Sequence, residues 1–136
     1  MANSRKDNNQ KNAQDTIINF LSCLEGYHQT LKGIHWSTKN HSEHLLVDDI
    51  DDSVLGFEDR IAENTMGLFG FRIGVGKLKT LLPQAEVLNS LLNEMKDDVL
   101  ELKEEIEEDV KNSGLINILD EFLENINKWK YLETLK

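Results

Sequence analysis

The sequence predicts an all-α protein built as a four-helix bundle. Three observations support this fold class. Apolar residues recur at spacings of three and four along four long stretches, as they do on the buried face of an amphipathic helix. The only proline of the 136-residue chain is at position 83, so nothing interrupts long helices on either side of it. A glycine-rich stretch, residues 67–83, separates the first two helical patterns from the last two.

The first helix is predicted to follow a disordered N-terminal arm. Residues 1–14 are polar and lack an apolar pattern, and Asp15 or Thr16 is a suitable N-terminal cap. We therefore expect residues 1–14 to form the arm and residues 15–136 to form one bundle domain. The first helix is expected to end near Lys39. Its apolar positions are Ile17, Phe20, Leu21, Leu24, Tyr27, Leu31 and Ile34.

A short turn, Asn40 to Ser42, is predicted to lead into the second helix, with Ser42 as its cap and its end near Met66. Its apolar surface is wider than one neighbour needs, which favours burial both in the bundle and at a subunit contact. Residues 67–83 then predict a long crossover with a short helix at Lys77–Leu82. A crossover of this length allows the second and third helices to lie parallel.

The third helix is predicted over Gln84–Asn112, Ser113 and Gly114 end it, and the fourth helix is predicted over Leu115–Leu135. Both patterns have one apolar side and one side rich in charges. The third could alternatively form a coiled-coil contact, because apolar residues also recur every seven positions. These residues are Leu88, Met95 and Leu102.

Composition limits the function classes. A net charge of −10 opposes nucleic-acid binding, so we expect DNA binding to be weak or absent. The N-terminal arm has too few basic residues to compensate, namely Arg5, Lys6 and Lys11. A single cysteine, Cys23, fits a reducing compartment. There is no apolar run long enough to span a membrane and no signal-peptide pattern at the start, so we expect a cytoplasmic protein.

Four residues between positions 35 and 63 form the candidate functional site. His35 and His44 flank the first turn, and Asp59 and Glu63 lie one helical turn apart on the second helix. Imidazole and carboxylate ligands together suit divalent iron, zinc or manganese. Within one straight helix, Asp59 lies ~22 Å from His44, so one metal ion cannot contact both. The pattern therefore predicts a metal site shared between two antiparallel copies of the chain.

Other interpretations of these residues remain open. The two histidines could form a hydrogen-bonded pair at a turn, and the two carboxylates could form an acidic face paired with Arg60 or lysines. His41 has the spacing to add a ligand next to His44. Glu25-x-x-His28 has the spacing of a di-iron motif but occurs once. The acidic run is typical of a solvated face or of the interior of an assembled shell; it comprises Asp48, Asp49, Asp51 and Asp52.

These motifs resemble the Dps-like mini-ferritins, a ferritin-like family. The resemblance rests on His35-Trp36, on His44, and on Asp59 and Glu63 within E-D-R-I-A-E, and it extends over residues 15–135. It implies a hollow dodecamer built from dimers, with His35, His44, Asp59 and Glu63 forming an iron ferroxidase site between subunits and Trp36 near the iron. The segment from His35 to His44 is shorter than is usual in the family.

Three functions are therefore considered. The first is an iron-binding mini-ferritin that oxidises ferrous iron with peroxide or oxygen and stores the product in the assembly. The second is a structural, Dps-like assembly protein that has lost oxidation. Its Asn- and Lys-rich composition would suit a virus with an AT-rich genome, in which case a location in the virion is also expected. The third is a helical interaction module that carries these histidines without a metal.

Overall fold

The computed structural model describes the backbone of residues 2–135 and the side chains of residues 12–135. This part of the chain is helical and contains no β-strand, as predicted. A single 3-10 turn, Val110–Asn112, precedes the last helix. The α-helices are α1 (Ala2–Ser37), α2 (His41–Phe69), α3 (Leu88–Ile106) and α4 (Ser113–Glu133).

The helices form a four-helix bundle in which α1 and α4 each pack against both α2 and α3. In α4, Gly114 lies near Asn64 of α2, and Phe122 stacks on Phe57 of α2. Residue numbers therefore rise along one helix as they fall along the other, so α2 and α4 are antiparallel. Contacts from α3 to α4 follow the same order, namely Asn89 to Glu133, Lys96 to Asn127 and Lys103 to Asp120. Because α2 and α3 are both antiparallel to α4, they are parallel to each other, as the crossover predicted.

The core is formed by the apolar faces that the sequence pattern indicates. At its centre Phe57 and Phe122 stack with ring centroids 4.5 Å apart, and Trp129 meets Phe122 edge-on at 6.4 Å. The heptad-spaced residues of α3 are buried in this core, so they serve the bundle of one chain rather than an external coiled coil. Among the described helices, none combines the length and the hydropathy that a membrane span requires.

Several predicted helix ends are wrong. α1 begins at Ala2 rather than at Asp15 or Thr16, since residues 2–14 contain no glycine or proline that would interrupt a helix. The expected arm is therefore helical along its backbone from Ala2, and its division from the bundle domain stays a prediction. Asn40, not Ser42, caps α2, because its side-chain oxygen accepts the backbone N–H of Glu43 at 3.0 Å.

The third helix is shorter than predicted at both ends. It starts at Leu88 because the Glu94 carboxylate accepts the backbone N–H groups of Gln84 and Ala85, which holds those residues outside the helix. It ends at Ile106, and Ser113 belongs to α4 instead of ending α3. The side-chain amide of Asn112 donates to the carbonyl of Ile106, which stabilises the connection between the two helices.

The crossover between α2 and α3 contains no helix in the described residues, so the predicted short helix at Lys77–Leu82 is wrong. Its backbone N–H groups bond to α1 instead. Lys79 donates to the Ser22 hydroxyl at 3.0 Å and Leu81 to the Ser22 carbonyl at 3.1 Å. The carbonyl of Leu81 then lies directly over Gly26, where a Cβ atom would overlap it.

Replacing Gly26 with alanine should destabilise the fold, because the new Cβ must displace the backbone of the crossover. We expect a loss of about 1–3 kcal/mol in the free energy of unfolding, measured by denaturant titration. Gly33→Ala is the matched control on the same helix, since a Cβ there meets nothing within 4 Å. The control should gain about 0.5–1 kcal/mol. Equal effects of the two substitutions would contradict the close approach at Gly26.

Candidate metal centre

The two predicted histidine ligands lie side by side where α1 ends and α2 begins. Their rings stack with centroids 3.8 Å apart and planes 17° apart. His35 Nδ1 bonds to the carbonyl of His44 at 3.0 Å, and His44 Nδ1 bonds to the carbonyl of His35 at 2.8 Å. A carbonyl oxygen only accepts, so both Nδ1 atoms carry hydrogen, and in a neutral ring Nε2 then has its lone pair available. Histidines that bind metals are typically anchored in this way.

The turn between the helices holds this arrangement in place. The Thr38 hydroxyl donates to the Glu43 carboxylate at 2.5 Å, and the backbone N–H of Asn40 donates to the Thr38 hydroxyl at 3.2 Å. Together with the Asn40 cap, these bonds fix a turn of only three residues. His35 and His44 therefore meet although the segment between them is short.

The predicted acidic ligands lie elsewhere on the same chain. Asp59 and Glu63 are exposed on α2, which is continuous from His41 to Phe69, so helix geometry puts Asp59 ~22 Å from His44. The structure of one chain thus brings the histidines together but not the carboxylates to them. In residues 12–135, no group of three or more His, Cys, Asp or Glu side chains is arranged to hold a metal ion.

Arg60 does not neutralise these carboxylates. It pairs with Glu121 of α4, with Nη2 and Oε2 2.8 Å apart, rather than with Asp59 or Glu63. The hydrogen bond with Glu121 raises the pKa of Arg60, and the hydrogen bond with Arg60 lowers the pKa of Glu121. The interpretation of Asp59 and Glu63 as partners of Arg60 is therefore wrong.

Trp36 lies beside the histidines but outside the bundle core. Its side chain is 73% exposed, and the Lys32 ammonium lies 5.2 Å from the centre of its ring. A groove of about 320 Å³ between α1 and α2 runs along this face. The lining of the groove comprises His28, Leu31, Lys32, His35, Trp36, Val47, Asp48 and Asp51.

A histidine–carboxylate pair in this groove was not found from the sequence. His28 Nδ1 and Asp51 Oδ1 are 2.6 Å apart, and an ionised carboxylate only accepts, so His28 donates. Asp51 is thus bound to α1 rather than part of a solvated face, while Asp49 and Asp52 are exposed as expected. The sequence marks His28 through Glu25-x-x-His28, but the partner becomes visible only when the alignment of α1 with α2 is known.

The carboxyl groups of Glu58 on α2 and Glu25 on α1 lie close together, further along the contact between these two helices. Burial, followed by a hydrogen bond with Glu25 and the charges of Glu25 and Asp59, raises the pKa of Glu58 to about 8. Glu58 therefore keeps its proton at neutral pH. Its Oε2 atom is buried and has no hydrogen-bond partner among the described residues. Glu58 was also missed from the sequence; its position seven residues after Asp51 is the signal that could have indicated it.

The single cysteine is on another face, in a groove between α1 and α3. Burial, and then the charges of Asp98, Glu94 and Glu101, raise the pKa of the Cys23 thiol. The Tyr27 hydroxyl donates to Asp98 close by, and burial raises its pKa as well. A thiol held in its protonated form is a poor nucleophile and a poor metal ligand. Cys23 is therefore not part of the candidate site.

Comparison of the chain with protein-family models, with curated proteins and with solved structures gives no match. The class of protein must consequently be inferred from the geometry described above and from the motifs of the sequence.

The hydrogen bonds of the histidine pair can be tested by nuclear magnetic resonance with ¹⁵N-labelled histidine. Neutral His35 and His44 should both show the tautomer protonated at Nδ1, because both Nδ1 atoms donate to carbonyl groups. His28 should show the same tautomer, and the exposed His41 serves as the reference. Protonation of His35 and His44 at Nε2 would contradict the proposed ligand geometry.

The raised pKa of Glu58 predicts a dependence of stability on pH. Since the pKa rises from an ordinary 4.5 to about 8 on folding, the contribution of Glu58 is fully present below pH 4.5 and is lost as the pH rises to 8. Glu58→Gln should remove this pH dependence. We expect the total change in the free energy of unfolding across this pH range to be about 1 kcal/mol after allowance for solvent screening. Denaturant titrations at a series of pH values measure it. Glu104→Gln, at an exposed position of α3, is the control and should leave the pH dependence unchanged.

Proposed function

We propose that the protein is a ferritin-like iron-binding protein of the Dps type, which oxidises ferrous iron at sites shared between two chains. His35 and His44 of one chain and Asp59 and Glu63 of a second chain bind the ferrous ion, which is the substrate. The observation that carries the proposal is the anchoring of both imidazoles through Nδ1, which leaves both Nε2 lone pairs for a metal ion.

The bundle supports this proposal in two ways. The single long crossover, with α2 and α3 parallel, is the connection found in ferritin-like bundles. His44 near the start of α2, with His35 of α1 stacked on it, forms the histidine half of the site, and the exposed carboxylates Asp59 and Glu63 lie toward the other end of α2. Two copies of α2 in antiparallel contact around a two-fold axis bring each half against its complement.

The residues of the chain fix the geometry of the reaction. Imidazole nitrogen and carboxylate oxygen hold the ferrous ion and leave coordination positions open for the oxidant, which is peroxide or oxygen. Each ferrous ion becomes ferric by giving up one electron, so two ferrous ions reduce one peroxide to two hydroxide ions or, with two protons from solvent, one oxygen molecule to peroxide. Trp36 of the proposed site is exposed next to His35, where it would be covered by the second chain. A hollow assembly of such dimers, a dodecamer by resemblance, would store the ferric product within a strongly acidic protein.

The alternative is a Dps-like structural protein that keeps the same dimer contact but does not oxidise iron. Trp36 at the end of α1 and Leu45 at the start of α2 favour a protein contact in either case, since their side chains are 73% and 53% exposed. Ferrous ion binding separates the two functions.

Anaerobic titration of the purified oligomer with ferrous iron tests the proposal. We expect uptake of about one or two ferrous ions per shared site, followed by oxidation when peroxide is added. Asp59→Ala should abolish this uptake because it removes a ligand from every site. Asp97→Ala, at an exposed position of α3, is the matched control and should bind like the wild type. An intact oligomer that takes up no iron would support the structural alternative.

A further inference from the structure

The outer face of α2 carries a stripe of exposed carboxylates. Asp48, Asp52, Asp59 and Glu63 follow one another at spacings of four, seven and four residues, so they lie on one side of the helix. We call these four residues the acidic stripe. The one lysine or arginine within α2 is Arg60, and its guanidinium is held by Glu121 of α4. No lysine or arginine side chain of α2 is therefore free to neutralise the acidic stripe.

The neighbouring part of α1 supplies little positive charge. Lys32 lies near this face, but its ammonium is over the ring of Trp36. His28 is already bound to Asp51. Within the described residues, the surface that would meet a second copy is thus acidic along most of its length.

The two-fold contact of the proposed function places this stripe against itself. If His44 of one copy meets Asp59 and Glu63 of the other, the axis crosses α2 midway between those positions, which is close to Asp52. The two Asp52 side chains then face each other. Asp48 of each copy lies opposite the region of Leu55 to Asp59 of the other. Like charges in such positions oppose association.

We propose, on the basis of the proposed function, that divalent cations in the shared sites drive association of the two copies. Each cation is held by imidazoles of one copy and carboxylates of the other, so it adds attraction across a contact that is otherwise repulsive. A cation that binds only the dimer shifts the equilibrium between monomer and dimer toward the dimer. By the same linkage, association raises the affinity for the cation. The acidic stripe supplies the repulsion, and the proposed ligands supply the response to metal.

Sedimentation velocity of the full chain at micromolar concentration tests this inference. Mn²⁺ is the probe because it does not need to be oxidised; Mg²⁺ at the same ionic strength is the comparison because it disfavours imidazole ligands. We expect Mn²⁺ to lower the Kd of the dimer by about tenfold or more relative to chelator, with little effect of Mg²⁺. His44→Ala should lose the effect of Mn²⁺.

Asp52→Asn separates repulsion from ligation, since Asp52 is not one of the proposed ligands. It should tighten the dimer in chelator, as should a rise in sodium chloride, because both reduce the repulsion across the axis. Asp97→Asn on α3 is the matched control and should leave the Kd of the dimer unchanged, both in chelator and in Mn²⁺. No tightening by Asp52→Asn would overturn the placement of the axis.

Other outcomes distinguish this inference from the proposed function. A dimer equally tight in chelator and in Mn²⁺ overturns the inference, and if that dimer still takes up ferrous iron the proposed function stands. An equal decrease of the dimer Kd in Mn²⁺ and in Mg²⁺ would show that the cations only screen charge, and it would also overturn the inference. A chain that binds neither Mn²⁺ nor ferrous iron contradicts the shared site itself, and both proposals fall together.

Discussion

The unbroken course of α2 is the constraint on which the organisation of the candidate site depends. The helix runs uninterrupted from His41 to Phe69, and the single proline of the chain lies outside it. A rigid helix of this length fixes the separation between the residues at its two ends. His44 and Asp59 cannot approach each other within one chain, so chemistry that requires both must take place between chains.

The other helices of the bundle cover two sides of α2 and leave one face uncovered. α4 covers the inner side of the helix through the stacked rings of Phe57 and Phe122, and α1 covers a second side through polar contacts. These polar contacts, between His28 and Asp51 and between the two histidines at the turn, are partly buried between the two helices. The side facing away from α1 and α4 carries carboxylates and a few apolar side chains, among them Leu55. The division into an apolar inner side and a polar outer side thus follows from the helical period of the sequence.

The sequence was sufficient to predict the parts of the fold that depend on periodicity. Residues such as Ile17, Phe122 and Trp129 occupy the core because their spacing puts them on one face of a helix. It was not sufficient where a distant residue decides the local structure. The start of α3 depends on Glu94, which lies ten residues beyond Gln84, and no local pattern distinguishes this arrangement from an earlier helix start.

The same limit applies to the candidate site. The placement of His35 and His44 beside a turn could be predicted because the turn residues are local to them. The pairing of Asp51 with His28 and the raised pKa of Glu58 could not, because each depends on which side of α1 meets α2. Contact of Asp59 and Glu63 with imidazoles requires a second copy of the chain, so no local pattern of the sequence could predict it.

The route of the crossover has a consequence for how the chain folds. Each helical hairpin, α1 with α2 and α3 with α4, joins residues that are near in sequence, and such local contacts form rapidly. The bonds from Lys79 and Leu81 to Ser22 and the contact at Gly26 join segments more than fifty residues apart. Because contacts between distant segments require closure of a long loop, we expect these bonds to form after the helical hairpins.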